Sequence, residues 1–391
     1  CRKEEYFPEM VEIRRDIHRH PEIGRNEVRT SALIRKKLEE YGVDAIERPV
    51  PTAVVALIHG ARGPGRCVAL RCDIDALPVQ EETGLPYTSE NPGIMHACGH
   101  DMHASMMLGA AKILCGMRER FAGCVKLIFQ HSEDTLPGGA KELVEKGVLE
   151  NPHVDAIYGM HVLPDAHRAG QVGFHIGPIT TSVDLFDFTV SGRGGHGSRP
   201  DMSVNPVFCA ASILTNTATA WVNQITAGRT VTLGVTSIQG GEAPNVIPDT
   251  ADILGSLRFF NDEEGEKAVR IFKNVAEHTA AMNNCQVQFD DRFCVLCAPV
   301  INDEYYSNLI STALPEVLPE NVTVSSCEPW YASESFSCYR RICPSVLAHL
   351  GINNPSYGSG AAHHNGFFDV DEGVLSTGVI STLKFVAMLQ K

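Results

Sequence analysis

At 391 residues, with 43% hydrophobic and 20% charged content, the chain has the make-up of an ordinary folded protein with room for two domains, or for one interrupted by another. A net charge of −14 leaves no basic surplus to neutralise a phosphate backbone, which argues against nucleic acid as a partner. No apolar run approaches the roughly 20 residues of a membrane span; the chain opens on Cys1 with no visible signal peptide, and N-terminal processing or lipid anchoring at that cysteine stays open.

Residues 8–20 and 28–41 are predicted as helices, and 54–57, 67–71 and 125–129 as buried strands. Helices over about 101–117 and 139–147 alternate with them, which describes a largely parallel α/β sheet. From 184 the pattern changes: a strand at 184–190, a helix at 205–224, strands at 230–239 and 250–259, a helix at 262–283 and a strand at 286–290. That β-α-β-β-α-β order is the split, ferredoxin-like unit. Near 293 the α/β pattern resumes. The expected fold class is therefore α/β: a mostly parallel-sheet catalytic domain (1–180 and 293–391) interrupted by a small α+β insert (181–292). Thirteen cysteines without framework spacing point to a reducing compartment, hence a cytoplasmic protein with mostly buried thiols. Cys294 and Cys297 form a lone CxxC without a second pair or neighbouring histidines, and read as structural.

The densest chemistry lies in His96-Ala-Cys98-Gly-His100-Asp101-Met-His103 at the head of a predicted helix. Thiolate and imidazole are borderline-soft ligands that suit zinc, manganese or cobalt better than calcium. In an extended segment Cys98 and His100 would point to one side, with Asp101 as helix cap. His96 and His103 read as supporting neighbours of the ligands. Four further segments supply ligand types: Asp73 and Asp75 ending one strand, Glu133-Asp134 after another, His161 at the end of a third, and His363-His364 in a late loop. Strand C-terminal ends are where open α/β sheets build their sites. Together these make a hydrolytic site with one or two divalent ions the best explanation.

The ordered motifs HACGHDMH, FQxxED followed by GGA, GMH, GRGGHGSRP, NVIP and HHNxFFDVDE resemble the metal-dependent aminoacylase and carboxypeptidase family. More narrowly, they resemble its N-acyl-amino-acid amidohydrolases, hippurate hydrolases and auxin-conjugate hydrolases. The likeness runs from RRDIHRHPEIG at 14–24 to 371–373. It implies hydrolysis of the amide bond of an N-acyl amino acid, with a dipeptidase or carboxypeptidase as the alternative. Cys98, His100, Asp134, His161 and His364 would be the metal ligands, and Glu133 the general base for the metal-activated water. His196 in the insert would reach the substrate carbonyl across a dimer, and Asn245 and Arg258 would bind the amino-acid carboxylate. A homodimer through the insert is the implied assembly.

The chain departs from the family in places. The acidic pair, usually Glu-Glu, is Glu133-Asp134; a Glu-Asp-Phe reads Glu334-Ser335-Phe336; and His131-Ser132 replaces Pro-Ala. These departures keep a non-catalytic metal-binding relative in view. Gly192–Gly197 matches the GxGxxG of nicotinamide dehydrogenases, but no helix starts on its last glycine. Chelation would separate a metal hydrolase from both rivals.

Overall fold

The computed structural model describes residues 3–135, 138–290, 294–318, 323–324 and 326–390, the side chains of 3–4, 165–167, 294–296 and 323–324 excepted. Cys1 and the Cys294 side chain therefore lie outside the described residues, while Cys297 is buried. The chain divides into two compact units, Cys1–Ile179 with Val300–Pro329 and Ser335–Lys391, and Thr180–Pro299 with Trp330–Glu334.

In chain order the first unit begins with α1 (Lys3–Arg19), α2 (Val28–Tyr41), β1 (Ala45–Glu47), β2 (Val54–His59) and β3 (Cys67–Asp73). It continues with α3 (His100–Cys115), β4 (Cys124–Gln130), α4 (Ala140–Glu145), β5 (Ala156–Arg168), β6 (Val172–Gly173) and β7 (Gly177–Pro178). The second unit holds β8 (Val183–Ser191), β9 (Gly195–His196), α5 (Pro206–Gln224), β10 (Val231–Gln239), β11 (Val246–Ile247), β12 (Thr250–Phe259), α6 (Asp262–Met282), β13 (Gln286–Phe289) and β14 (Cys294–Cys297). The chain then adds β15 (Ile301–Asn302), α7 (Glu304–Ala313), β16 (Thr323–Val324), β17 (Ser345–Asn353) and α8 (Leu375–Leu389) to the first unit.

The main sheet runs β1-β2-β4-β3-β5-β17-β6-β16, and its middle four strands, β4, β3, β5 and β17, are mutually parallel. Every residue of β3 and β4 is buried, as expected of strands covered on both faces. Alternate residues feed two cores. Val54, Leu70 and Leu127 pack with Met10, Ile34, Leu108 and Val379 from the helices on one face; Val55, Ala69 and Ile128 pack with Leu143 and Phe336 on the other. Helix α3 is almost wholly buried, its first turn carrying His100, Asp101 and His103 and the turns after it mostly apolar, which suits a helix inside a domain rather than on its surface.

The span Glu372–Leu389, which includes α8, is also long and apolar enough to cross a membrane, with mean hydropathy 1.3; 56% of it is buried, and Leu375, Val379 and Phe385 sit in the core. The sequence expectation of no such run is corrected to that extent.

In the second unit the strand order β10-β12-β8-β13 is antiparallel throughout. Burial alternates along the whole of β12 and along β8 from Asp184 onward, so one sheet face is covered, with Phe186, Phe188, Ile213, Ile253, Leu257 and Phe272 forming the core beneath α5 and α6. Both helices start on asparagine: Asn205 accepts from the amides of Val207 and Phe208, and Asn261 from that of Glu264.

Candidate metal centre

Five segments of the first unit deliver titratable side chains to one place. They are the end of β3 (Asp73, Asp75), the turn into α3 (Cys98, His100, His103), the loop after β4 (Glu133, Asp134), β5 (His161) and the loop carrying His363 and His364. Three overlapping sets have ligand atoms within 4.8 Å of one another: Cys98, Asp134 and His364; His100, Glu133 and Asp134; and Asp73, His100, His103 and His161.

The turn into α3 differs from the sequence expectation. Cys98 is not in an extended segment, and Asp101 does not cap the helix; Gly99 occupies the N-cap in the left-handed conformation, φ 84°, with no side-chain cap. A Cβ at Gly99 would stand 2.4 Å from Val162 Cγ2, so glycine is needed both for the sign of φ and for the approach. Asp101 instead lies buried in the first turn and pairs with Arg14 (2.7 Å) and His18 (2.8 Å), tying α1 to α3. His161 is not at a strand end: β5 runs on to Arg168 because β17 pairs alongside it that far.

Hydrogen bonds separate the residues with a bare donor from those already engaged. His103 donates through Nδ1 to Asp73, and its Nε2 accepts from the Val162 amide at 2.9 Å, so both nitrogens are occupied. The other oxygen of Asp73 accepts from Arg71 at 2.9 Å. Asp73 and His103 thus brace the site rather than offer lone pairs into it. His100 donates through Nδ1 to Asp75 (3.2 Å), while its Nε2 is buried without a hydrogen-bond partner among the described residues, 3.7 Å from Asp134 Oδ2. That Asp134 oxygen is likewise buried and unpartnered. Asp75 also accepts the Asp134 amide at 3.0 Å, so one carboxylate orients both residues. His161 donates through Nδ1 to Val162 O, which turns Nε2 to within 3.7 Å of Cys98 Sγ. His364 Nε2 lies 3.5 Å from Asp134 Oδ1, whereas His363 is spent on Val162 O and stacks on Phe368.

The donor set fits a borderline divalent cation, and buried orphan atoms on His100 and Asp134 are what such an ion would satisfy. Burial, reinforced by the Asp134 charge, pushes the Cys98 thiol well above its usual pKa, so only a cation would make it a thiolate. Burial and the neighbouring His103 hold His161 well below the usual histidine range, the neutral form a metal needs. For Asp134, burial raises the pKa, but His364 and His100 outweigh it and keep the carboxylate ionised.

Glu133 Oε1 accepts the amide of Ser335 at 2.9 Å. Ser335, where the resembled family carries an acid, takes a 2.7 Å hydrogen bond from the Gln130 side-chain amide, whose oxygen in turn accepts from Arg71 and Tyr339. A neutral amide suits a hydroxyl neighbour without a further buried charge.

His196, Asn245 and Arg258 belong to the second unit and are not among the clustered residues. His196 and Asn245 are neighbours there: His196 pairs with Val246, the amide of Gly197 donates to Asn245 O, and His196 Nδ1 accepts from Ser198. Arg258 on β12 alternates with the core residues Leu257 and Phe259 and points away from the helices. The GxGxxG at 192–197 contains the two-residue β9, and α5 starts only at Pro206, so no dinucleotide turn is formed. Sequence reasoning passed over Glu27, which holds the Ser132 amide next to the acidic pair; at the start of a predicted helix it carried the ordinary signal of a cap.

The model of Peptidase family M20/M25/M40 matches residues 69–386. N-acetylcysteine deacetylase of Bacillus subtilis (strain 168) is 35% identical over 372 residues, covering 95% of this chain and 94% of its own. N-acyl-L-amino acid amidohydrolase of Geobacillus stearothermophilus is 36% identical, covering 76% of this chain and 79% of its own. Among solved structures, the Bacillus subtilis YXEP protein, described as a dinuclear metal binding peptidase from the M20 family, superposes with a TM-score of 0.86 at 31% identity, covering 99% of both chains. A family match spanning most of the chain, with relatives this similar over most of their lengths, establishes that the chain belongs to Peptidase family M20/M25/M40.

Proposed function

We propose that this chain is a metal-dependent amidohydrolase that cleaves the amide bond of N-acyl amino acids. The observation that carries the reading is the pair of buried ligand atoms without a hydrogen-bond partner among the described residues, His100 Nε2 and Asp134 Oδ2, beside the carboxylate of Glu133, which is held by the Ser335 amide. The names of the two relatives, a deacetylase and an N-acyl-amino-acid amidohydrolase, support this substrate class. Cys98, His100, Asp134, His161 and His364 would hold one or two divalent ions of zinc, manganese or cobalt. Bound there, such an ion supplies a Lewis acid and a more acidic water. Glu133 takes the proton of the attacking water and returns it to the leaving amine. Arg258 and Asn245 bind the carboxylate of the amino acid, and His196 donates to the carbonyl oxygen as charge develops on it.

The second unit serves as an insert through which two copies pair. Its edge strand β10 is largely exposed, and α5 carries no charged residue while leaving Phe208 74% and Val222 86% exposed. Such surfaces are usually covered, and a two-fold dimer is the commonest way to do so. Cys67, Cys72, Cys98, Cys124, Cys209 and Cys285 are free thiols, in keeping with a reducing, cytoplasmic setting.

The test is a hydrolysis screen of acetyl-, benzoyl- and longer-chain acyl-amino acids and dipeptides, with metal content measured alongside. Activity on acyl amino acids that is lost to a chelator and restored by a divalent ion is the expected result. Turnover of dipeptides alone, or chelator-insensitive activity, would overturn it.

A further inference from the structure

We propose that Glu27 is a positioning residue for the acidic pair, clamping the backbone of Ser132 so that Glu133 and Asp134 face the metal centre; this rests on the function proposed above. Glu27 lies at the N-cap of α2, where a carboxylate would ordinarily cap the helix, yet its side chain makes no cap hydrogen bond. Glu22 does that work instead, accepting the amides of Arg29 (2.9 Å) and Thr30 (2.8 Å). The wholly buried side chain of Glu27 reaches across to the loop after β4 and accepts the Ser132 amide at 2.6 Å.

Ser132 needs such a hold. It sits at φ 50°, a left-handed conformation that costs a non-glycine residue free energy and persists only where its surroundings impose it. Its amide would otherwise be a buried donor without an acceptor. Its own carbonyl accepts the Gly139 amide at 2.9 Å, so the loop is pinned on both sides of this one residue. The next two residues are Glu133 and Asp134. A turn of the Ser132 backbone would swing both carboxylates, and about 1 Å of misplacement in a catalytic group can cost on the order of 10²-fold in rate.

The experiment compares Glu27→Gln, Glu27→Ala and the double variant Glu27→Ala/Ser132→Gly with wild type in the full-length enzyme. Gln keeps a carbonyl oxygen in place, so kcat should stay within about threefold. Ala should lower kcat by at least about tenfold with KM little changed. Glycine takes φ > 0 without a Cβ penalty, so the double variant should recover at least about threefold of the loss. Hydrogen–deuterium exchange over the peptide containing Ser132–Asp134 gives a readout independent of turnover and of metal. Exchange there should rise in Ala, return to wild type in Gln, and leave β3 and α3 peptides unchanged. A wild-type enzyme inactive on every acyl amino acid sinks the proposed function, whereas the exchange pattern still tests the clamp. Unchanged exchange in Glu27→Ala, a loss in Gln as large as in Ala, or no recovery in the double variant would each overturn the clamp. If Glu27→Ala fails to fold, Gln and Ser132→Gly alone decide: a large loss of kcat in either contradicts it.

Discussion

Asp184, at the start of β8, is a carboxyl group whose protonation should control the stability of the second unit. Its side chain is 1% exposed, Oδ1 has no hydrogen-bond partner among the described residues, and burial, with the Asp262 charge adding to it and Arg258 opposing it, raises its pKa from 3.8 to about 7. The folded-state pKa lies above the unfolded one, so the folded chain binds the proton more tightly. Stability from this group is therefore full below pH 4 and is lost as pH rises towards 7. A gap of about three pKa units corresponds to roughly 4 kcal/mol over the whole range, of which about 2–3 kcal/mol falls between pH 5 and pH 8. Asp184→Asn removes the titration and little volume. Guanidinium unfolding of both proteins at pH 5, 6, 7 and 8, with chelator present throughout, yields the difference in stability at each pH. Subtracting one pH from another cancels the fixed cost of burying an amide. The variant should gain about 2–3 kcal/mol on wild type from pH 5 to pH 8. A difference that stays flat within about 0.5 kcal/mol, below what a pKa gap of half a unit would give, would refute the assignment.

Cys98→Ala should lose bound metal and activity together; full metal stoichiometry, measured by elemental analysis, would remove Cys98 from the ligands. Glu133→Gln should keep its metal while turnover falls at least ~10²-fold, and metal loss in that variant would make Glu133 a ligand. Arg14→Met leaves the buried Asp101 with His18 as its remaining ion-pair partner among the described residues and should cost about 3–5 kcal/mol in denaturant unfolding, since the permanently charged partner of a buried pair is removed; a loss under about 1 kcal/mol would show that His18 is enough to neutralise Asp101.

The parallel sheet and the two α/β stretches were legible because β3 and β4 are short, mainly apolar runs and the helices between them keep their period. In the second unit the signal is different: β8 and β12 alternate apolar and polar residues, as strands buried on one face do. What stayed hidden depends on contacts distant in sequence. Asp101 reads as a cap from its neighbours, yet it is claimed by Arg14 and His18 from a helix more than 80 residues earlier. His161 reads as a strand end because nothing local shows that β17 extends the pairing. His103 could not be separated from His100 by spacing; only the Val162 amide on its Nε2 does so. The helix expected over 8–20 begins instead at Lys3 and carries Pro8 within it.

The residues proposed as metal ligands are held with unequal firmness. Cys98, His100 and His161 stand on buried elements of the core, whereas His364 sits on a loop at φ 62° with a side chain 53% exposed. That asymmetry separates how tightly an ion would bind from how quickly it would exchange. On the ligand set proposed above, the buried three would set the shape of the seat and so its selectivity, while the solvent-side imidazole would control the residence time. Two forms of this enzyme with the same ion affinity could therefore differ widely in how fast a chelator strips them, through that loop alone.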